Sequence, residues 1–296
     1  MKIAIQGDPG SFSHLVALQY SANEEKKIIS CKSFQEVFQH VQTGICDRAI
    51  LPIENSLTGR IGPSTNLLID EKELKVIGEE YLPVSHCLMR SKKENANQIQ
   101  SVKKVYGHPE ALSQCINYLS KLDASLISFY DGAAALKHII NEEESALIAS
   151  KHMAQIFNLE VLIEDIQDVS WNETRFFILE KKSSTSQEPF EQNLKYKTSV
   201  IFSTKHIPGA LSKILNIFAS ESINLTRLES IPSRKTRWEY LFLLDFEGHV
   251  SDNRVQSILS EITSLTNFLN ILGSYESKSF QRDKNKVSLA SEVIVN

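Results

Sequence analysis

The sequence contains few of the residues that mark specialised classes of protein. Its four cysteines, at positions 31, 46, 87 and 115, form no CxxC pair and no Cys/His spacing typical of a metal site. The net charge is only −4, which argues against a broad nucleic-acid-binding face. No apolar run approaches the roughly 18 residues that a membrane span needs. We therefore expect reduced, buried and inert cysteines in a cytoplasmic protein.

The sequence also lacks a leader pattern and any excess of glycine or proline. Residues 1–5, MKIAI, begin a strand pattern at once, which leaves no room for a signal peptide. With 11 glycines, 8 prolines, 42% hydrophobic and 23% charged residues, the composition is that of a globular chain. A length of 296 residues is about twice the prior for one domain, so two domains are expected.

Strand patterns alternate with helical patterns from residue 1 to about residue 180. The predicted strands are 2–6, 27–31, 49–52, 75–78, 84–89, 102–106, 125–130, 146–149, 161–163 and 174–180. Helices are predicted from Ser11, after Ser33, from Pro109 and from Asp131. At the second of these, Glu36 follows Ser33 by three residues, which predicts a capping box. The alternation favours an α/β domain with mostly parallel strand pairing.

A polar, aperiodic segment then separates this domain from a second one. We predict domain 1–180, linker 181–194, domain 195–278 and an unfolded tail at 279–296. Within the second domain the pattern is strand 197–203, helix 208–220, strands 223–231 and 238–246, helix 252–264 and strand 268–275. This βαββαβ order is that of the ferredoxin-like fold, with two helices on one face of an antiparallel sheet.

Four polar segments of the first domain lie beside predicted strands. They are 7–13 (GDPGSFS), 52–56 (PIENS), 107–110 (GHPE) and 172–176 (NETRF). In open α/β sheets, ligands bind beyond the carboxyl ends of strands, where helix N-termini present backbone amides. Each segment alone also has a structural interpretation as a turn or a helix cap. Singly, they indicate only an α/β domain with an anion-binding cleft.

Together, these segments resemble the prephenate dehydratase family, and the resemblance covers residues 1–275. The matching blocks are 7–13, 49–59 (AILPIENSLTG), 82–88 (LPVSHCL), 108–115 (HPEALSQC) and 174–176 (TRF), with Asn172 two residues before the last. The βαββαβ unit resembles an ACT domain, with signatures at 209–211 (GAL) and 229–232 (ESIP). Five blocks in order at family spacing make the resemblance specific.

The resemblance implies a fold and a reaction. The catalytic part would form two α/β lobes like those of periplasmic binding proteins, with an inserted lobe at about 78–160 and the active site in the cleft between them. The implied reaction converts prephenate to phenylpyruvate, water and carbon dioxide, in phenylalanine biosynthesis. It requires no metal and no organic cofactor. No mutase or dehydrogenase segment accompanies these blocks, so a monofunctional enzyme is expected.

The resemblance also implies roles for individual residues. Thr174 would donate a hydrogen bond or proton to the departing hydroxyl, which a weakly acidic alcohol can do only as a positioned donor. Glu54 and Asn55 complete the implied catalytic set. The implied substrate contacts are Ser11, Phe12, Ser56, Gln114, Arg175 and Phe176. Since an ionised Glu54 would repel a substrate with two carboxylates, we expect it protonated by desolvation or facing the substrate hydroxyl.

Arg175 is a natural clamp for a carboxylate, but its place in a strand argues otherwise. Consecutive strand residues point to opposite faces, so Thr174 and Phe176 share one side and Arg175 lies on the other. Unless the strand is bulged there, we expect Arg175 to brace the cleft or pair with an acidic residue.

For the ACT domain, the resemblance implies phenylalanine as an effector and assembly into a homodimer or homotetramer. The implied effector-site residues are Gly209, Ala210, Leu211, Glu229 and Ser230. Ile231 stands where the family signature has Arg, which bears on the strength of phenylalanine sensing. In the catalytic part, Gly107 replaces a common Ser, and Ser11 replaces the usual Thr while keeping the hydroxyl.

Two other functions fit the same residues. An arogenate dehydratase would perform the same elimination on a substrate with an ammonium in place of the keto group, and comparing turnover of the two substrates separates them. A non-catalytic amino-acid sensor would need the clamshell and the ACT module only. Thr174, together with Glu54, Asn55 and Gln114, argues against the sensor, because binding alone does not need this hydroxyl.

Overall fold

Three β-sheets organise the protein, for which we describe a computed structural model. The structure describes residues 1–20, 25–92, 99–129, 132–182, 190–191, 193–233 and 239–278. The chain divides into one unit of Met1–Thr65 with Tyr81–Phe176 and another of Asn66–Glu80 with Phe177–Asn296. The predicted tail and most of the predicted linker lie outside the described residues.

The elements are numbered in chain order. The strands are β1 (Lys2–Gln6), β2 (Lys27–Cys31), β3 (Arg48–Asn55), β4 (Gly59–Arg60), β5 (Leu74–Pro83), β6 (Cys87–Ser91), β7 (Lys104–Gly107), β8 (Ser125–Ser128), β9 (Ser145–Ala149), β10 (Leu159–Ile163), β11 (Glu173–Lys181), β12 (Tyr196–Thr204), β13 (Leu225–Pro232), β14 (Tyr240–Glu247) and β15 (Thr266–Glu276). The helices are α1 (Phe12–Gln19), α2 (Phe34–Gln42), α3 (Gly62–Leu68), α4 (Pro109–Ser113), α5 (Ile116–Leu119), α6 (Gly132–Asn141), α7 (Lys151–Phe157), α8 (Ala210–Ser220) and α9 (Asn253–Leu265). No helix in these described ranges is long and apolar enough to cross a membrane.

The first sheet has the strand order β2-β1-β3-β11-β5, with β4 paired to β3. β1 pairs in parallel with both β2 and β3, as the alternating pattern predicts. Parallel pairing brings the ends of β1 and β3 to the same edge of the sheet. The loop after β1 and the residues that end β3 are therefore neighbours, although more than 40 residues separate them in sequence.

The second sheet has the order β10-β6-β9-β7-β8. Its pairs β7–β8 and β7–β9 are parallel, and β6 adds antiparallel pairs with β9 and β10. Along β9, Ala146 and Ile148 pack in one apolar cluster and Leu147 in another, so the sheet is buried on both faces. The prediction of an α/β fold is confirmed, and the pairing is mixed rather than mostly parallel.

The third sheet has the order β13-β14-β12-β15, and all its pairs are antiparallel. Helices α8 and α9 bury Ile214, Phe218, Val255 and Ile258 against this sheet in one apolar cluster. The predicted βαββαβ arrangement is confirmed. In the same unit, the β15 glycine Gly273 packs so closely on β5 that a Cβ added to it would lie 1.9 Å from the Val76 carbonyl oxygen.

Helix α2 begins as predicted, with one difference. The Ser33 hydroxyl accepts a hydrogen bond from the Glu36 N–H at 3.2 Å. The Glu36 carboxylate returns to the N–H of Lys32, at 2.7 Å, one residue earlier than a capping box requires. The helix ends before Gly44, whose φ of +76° suits a residue without a Cβ.

Several predicted boundaries were wrong. The strand expected at 49–52 continues to Asn55, and the strands expected at 75–78 and 84–89 become β5 and a later, shorter β6. One helix expected from Pro109 is divided into α4 and α5 at Cys115, whose φ of −118° and ψ of 17° interrupt it. Helices α3 and α7 were not predicted, because each is only seven residues long and carries little amphipathic signal.

Candidate active site

Asn55 lies at the end of β3, and its side chain is oriented by unambiguous donors. Its Oδ1 accepts the backbone N–H groups of Leu57 at 3.0 Å and Thr58 at 3.1 Å. An amide nitrogen cannot accept from these groups, so the orientation of the Asn55 side chain is fixed. Its Nδ2 therefore points the other way, as a donor.

A chain of amides continues from Asn55, and each link fixes the next. Asn55 Nδ2 donates to Asn172 Oδ1 at 2.8 Å. Asn172 Nδ2 consequently donates to Gln114 Oε1, at 3.1 Å. The His86 Nε2 lies 2.9 Å from the same oxygen and must carry a hydrogen to donate to it. We call these three amides, with Thr174 and His86, the polar chain.

Thr174 is held at one end of the polar chain. Its Oγ1 accepts a hydrogen bond from Asn55 Nδ2 at 3.0 Å. Because Asn55 donates to this oxygen, the hydroxyl hydrogen of Thr174 points away from Asn55. Among the residues that the structure describes, no acceptor receives a hydrogen bond from this hydroxyl. The side chain is 8% exposed. The hydroxyl is therefore a nearly buried donor with a fixed orientation.

Gln114 and His86 form the other end of the polar chain. Because Gln114 Oε1 accepts two hydrogen bonds, the NH₂ group of this amide is directed elsewhere, and the described part of the chain offers it no acceptor. His86 is buried, and burial lowers its pKa, so the imidazole is neutral near pH 7. Its ring meets the Phe12 ring edge to face, with the centroids 5.7 Å apart.

Arg175 and Glu54 form an ion pair beside the polar chain. The guanidinium Nη1 of Arg175 lies 3.4 Å from Glu54 Oε2, and its Cζ lies 5.9 Å from the centre of the Tyr81 ring. Arg175 is buried, whereas the Glu54 side chain is 32% exposed. The expected pairing of Arg175 with an acidic residue is thus observed. That Glu54 faces the substrate hydroxyl stays a prediction.

The remaining predicted contacts are placed differently. The Ser11 hydroxyl caps α1 by accepting the His14 N–H at 3.2 Å. Ser56 is exposed, and its hydroxyl accepts the Glu173 N–H at 2.9 Å. Phe176 is only 1% exposed and lies in the packing of β11, so its substrate contact stays a prediction.

Comparisons with known proteins identify the family of each domain. Residues 3–184 match the family model described as prephenate dehydratase, and residues 198–263 match that of the ACT domain. The first match covers more than half of the chain. The chain belongs to the prephenate dehydratase family. Like the family, it is a carbon–oxygen lyase, and it joins the catalytic domain to an ACT domain.

Three proteins of known name are similar to this chain. Arogenate dehydratase/prephenate dehydratase 1, chloroplastic, from Arabidopsis thaliana is 37% identical over 93% of this chain and 72% of its own. The crystal structure of prephenate dehydratase from Arthrobacter aurescens in complex with L-Phe has a TM-score of 0.84 and 26% identity, over 94% of this chain and 91% of that one. The structure of GqqA, described as a novel type of quorum quenching acylase, has a TM-score of 0.83 and 29% identity, over 95% of this chain and 100% of that one.

Two members of the polar chain were missing from the predicted site. His86 lies in a block that the resemblance singled out, but a lone histidine beside a strand gave no sign of a partner 28 residues away. Asn172 was noted only for its position before Thr174. Its contact with Asn55 spans 117 residues. The signal available was that both residues are polar, sit beside apolar strands and accompany the family blocks.

The departure at Gly107 and the position of its neighbour His108 have local explanations. A Cβ at Gly107 would lie 3.2 Å from Leu112 side-chain atoms, so serine here requires that leucine to shift. The His108 ring caps α4 by accepting the Glu110 N–H at Nδ1, at 3.3 Å. Helix capping is thus the role that the described contacts give to this histidine.

The predicted effector residues lie on α8 and β13. Gly209 precedes α8 with a φ of +77°, and Ala210 and Leu211 form its first turn. Glu229 accepts two hydrogen bonds from Arg227 at 3.1 Å, and Ser230 is exposed. Phenylalanine binding at these residues stays a prediction.

Proposed function

We propose that the chain catalyses the decarboxylative dehydration of prephenate to phenylpyruvate. Carbon dioxide leaves one end of the ring, and the electron pair of the broken C–C bond moves into the ring. The ring then becomes aromatic as the C–O bond at the opposite end breaks. The departing hydroxide takes a proton and leaves as water, so each turnover consumes one proton.

Thr174 is the proposed donor to the departing oxygen, and its hydrogen bond with Asn55 carries this proposal. The amide occupies the acceptor side of Oγ1 and thereby turns the hydroxyl hydrogen outward. General acid catalysis of this kind contributes about 10²–10⁴ in rate. A hydroxyl already oriented needs no reorganisation as the charge develops. The proton that Thr174 gives up is restored from solvent.

Substrate carboxylates need donors, and the polar chain supplies one. Gln114 Oε1 accepts hydrogen bonds from His86 and Asn172, so the NH₂ group of the same amide points away from both residues. This group can therefore donate a hydrogen bond to a substrate carboxylate. The N-terminus of α1, next to Ser11, adds backbone N–H groups and a partial positive charge. Asn55 has all its polar atoms engaged, so we propose that it positions Thr174 rather than contacting the reacting atoms.

Glu54 keeps a place in the site as the partner of Arg175. The guanidinium offsets the carboxylate charge, which reduces repulsion between Glu54 and a dianionic substrate. We propose that the half-buried Glu54 carboxylate faces the hydroxyl end of the ring and that Arg175 braces it.

The test is the appearance of phenylpyruvate when the purified full chain is given prephenate. Wild type is compared with Thr174→Ser, which keeps a hydroxyl, and Thr174→Val, which keeps the shape. We expect turnover in the first two and almost none in the valine variant. Full turnover by Thr174→Val would refute the role of the hydroxyl while leaving the family unchanged.

Arogenate is the second candidate substrate, and the Arabidopsis relative named for both activities favours testing it. The two substrates differ only in a keto or an ammonium group on the side chain. Parallel assays at equal concentration, measuring phenylpyruvate from one and phenylalanine from the other, decide which has the larger kcat/KM.

We also propose phenylalanine as the effector of the ACT domain and a homodimer or homotetramer as the assembly. The support is the L-Phe complex of the Arthrobacter relative and the exposed edge strand β15, where Phe268 and Ile271 are exposed. An effector shifts activity only by its differential affinity for two states of the enzyme. Unchanged activity at saturating phenylalanine would contradict the regulation, and a monomer in light scattering would contradict the assembly.

A further inference from the structure

The end of β2 and the helix after it bring together three side chains of metal-binding type that the dehydratase site does not use. Cys31 is the last residue of β2, and Glu36 and His40 lie four residues apart on α2, so that the helix turn places both on one face. One ligand atom from each of the three lies within 4.8 Å of the others. Among the described residues, one group of at least three His, Cys, Asp or Glu side chains has ligand atoms close enough to share an ion, and it consists of these three.

The distances suit a shared ion. Cys31 Sγ lies 3.4 Å from His40 Nδ1, and the Glu36 carboxylate lies 4.0 Å from Nε2 of the same ring. In tetrahedral zinc sites, with Zn–S of about 2.3 Å and Zn–N of about 2.0–2.1 Å, the sulfur and nitrogen are about 3.6 Å apart. The thiol and imidazole are thus already at the required separation. One ion can bind only one nitrogen of this ring, so the Glu36 side chain, which is 38% exposed, would move from Nε2 toward Nδ1 to complete the set.

The electrostatics of the group also favour a cation. The Cys31 thiol lies beside the Glu36 carboxylate and the His40 ring. A bound divalent ion would stabilise the thiolate and the carboxylate together.

We propose that Cys31, Glu36 and His40 form a binding site for a divalent cation of the zinc type. Sulfur, nitrogen and oxygen donors in one set suit zinc rather than magnesium or calcium, which prefer oxygen ligands alone. Three protein ligands leave one position for water or another small ligand. The Cys31 carbonyl accepts the Gly7 N–H at 3.1 Å, so the site lies directly behind the loop that precedes α1.

The experiment uses the reduced full chain and Co²⁺ as the probe, followed by displacement with Zn²⁺. We expect a thiolate-to-cobalt charge-transfer band, visible bands typical of four-coordinate cobalt, and loss of both when Zn²⁺ is added. Cys31→Ser should abolish the charge-transfer band. Glu36→Gln and His40→Gln change partly exposed side chains, which should leave the fold intact, and each should weaken Co²⁺ binding more than about tenfold.

Cys115→Ser is the matched control, since Cys115 is equally buried but is remote from this group. It should retain the band and the affinity. A titration of wild type without a thiolate band, or a band that persists in Cys31→Ser, would overturn the proposal and leave a thiol–imidazole hydrogen bond. Affinity unchanged in both the Glu36 and His40 variants would overturn the ligand set. None of these readouts depends on dehydratase activity.

Discussion

Two buried polar clusters in this protein are built on opposite principles. The polar chain around Thr174 consists of neutral groups, and at each end it presents a donor that the described residues leave without an acceptor. In the second unit, Lys197 Nζ lies 3.1 and 3.3 Å from the two carboxylate oxygens of Glu79, and both side chains are almost fully buried. The Lys278 N–H also donates to Glu79, at 3.0 Å.

The difference teaches what each cluster is for. Neutral amides cost less to bury than ions, and a cluster with donors to spare can bind a ligand. Burying an ion has a high desolvation cost, which the oppositely charged partner offsets. Removing one partner of a buried ion pair is therefore strongly destabilising. We infer that the polar chain serves catalysis and that the Lys197–Glu79 pair joins β5 to β12 within its unit. The comparison predicts that changes in the first affect rate and changes in the second affect stability.

The largest expected effect is on turnover, at Thr174. Thr174→Ala removes the hydroxyl donor and should lower kcat by about 10²–10⁴. Thr174→Ser should retain far more activity. Thermal unfolding should move little, because the lost side chain is small and lies at the edge of the buried region. A Thr174→Ala variant with wild-type kcat would contradict the assignment of catalysis to the polar chain.

The matching effect on stability is at the ion pair. Lys197→Ala leaves a buried carboxylate without its cation and should lower the free energy of unfolding by about 3–5 kcal/mol. The double variant Lys197→Met with Glu79→Leu should recover most of this loss, since it leaves no charge behind. Urea titrations measure both, and turnover per folded molecule should stay near wild type. A loss below about 1 kcal/mol in the single variant would show that the pair is not a stabilising contact.

Asn55→Asp tests the direction of the hydrogen bonds in the polar chain. The carboxylate cannot donate to Thr174, so the threonine hydroxyl would donate to it and turn away from the substrate. A misdirected catalytic group costs about 10² in rate, and we expect a loss of that order in kcat. Asn253→Asp, an exposed position at the start of α9, is the control and should be neutral or slightly stabilising. Equal kcat values in Asn55→Asp and Asn253→Asp would contradict the need for a fixed direction of the hydrogen bond between Asn55 and Thr174.

Gly273→Ala tests the close approach in the second unit. The added Cβ would meet the Val76 carbonyl oxygen at 1.9 Å, so β15 must shift. Overpacking of this kind costs about 1–3 kcal/mol, measurable as a lower urea midpoint with unchanged slope. Gly44→Ala is a useful counterpart, because nothing lies near its Cβ and only its positive φ opposes the change. A Gly273 variant more stable than the Gly44 one would refute the tight contact.

The smallest expected effect is the dependence of the free energy of unfolding on pH that His86 causes. Burial lowers the pKa of His86 in the folded chain, whereas in the unfolded chain it is near 6.5. The unfolded state therefore binds the proton more readily, and the contribution of His86 to stability is complete above pH 6.5 and declines below it. The decline is at most about 1.4 kcal/mol per pH unit for one group. Urea titrations at pH 7.5 and 5.5 should show a smaller pH dependence in His86→Gln than in wild type, and an equal dependence would contradict this account.

Local features of the fold were predictable from sequence because short-range physics dictates them. The bounds of β1 and β2, the Ser33 cap and the βαββαβ order all follow from periodicity and capping over a few residues. Strand ends were less predictable. The polar residues Glu54 and Asn55 suggest a loop after β3, whereas pairing with Gly59 and Arg60 of β4 holds them in the strand.

The site was predictable in its members but not in its connections. Resemblance singled out Thr174, Asn55 and Gln114, while the hydrogen bonds that connect these three through Asn172 join residues 58 to 119 positions apart. No periodicity links such positions. The same is true of the pair Cys31 and His40, whose spacing matches no familiar ligand motif yet whose side chains meet across a strand-to-helix turn.

The orientation of the polar chain begins at two peptide groups, the N–H donors after Asn55, and peptide groups do not titrate. Amides and alcohols remain unionised throughout the range in which proteins survive, and a proton added to His86 would enter at Nδ1 without reversing its bond to Gln114. The hydrogen-bond directions in the polar chain are thus set by groups that do not ionise. A change of pH therefore leaves the threonine hydroxyl pointing in the same direction.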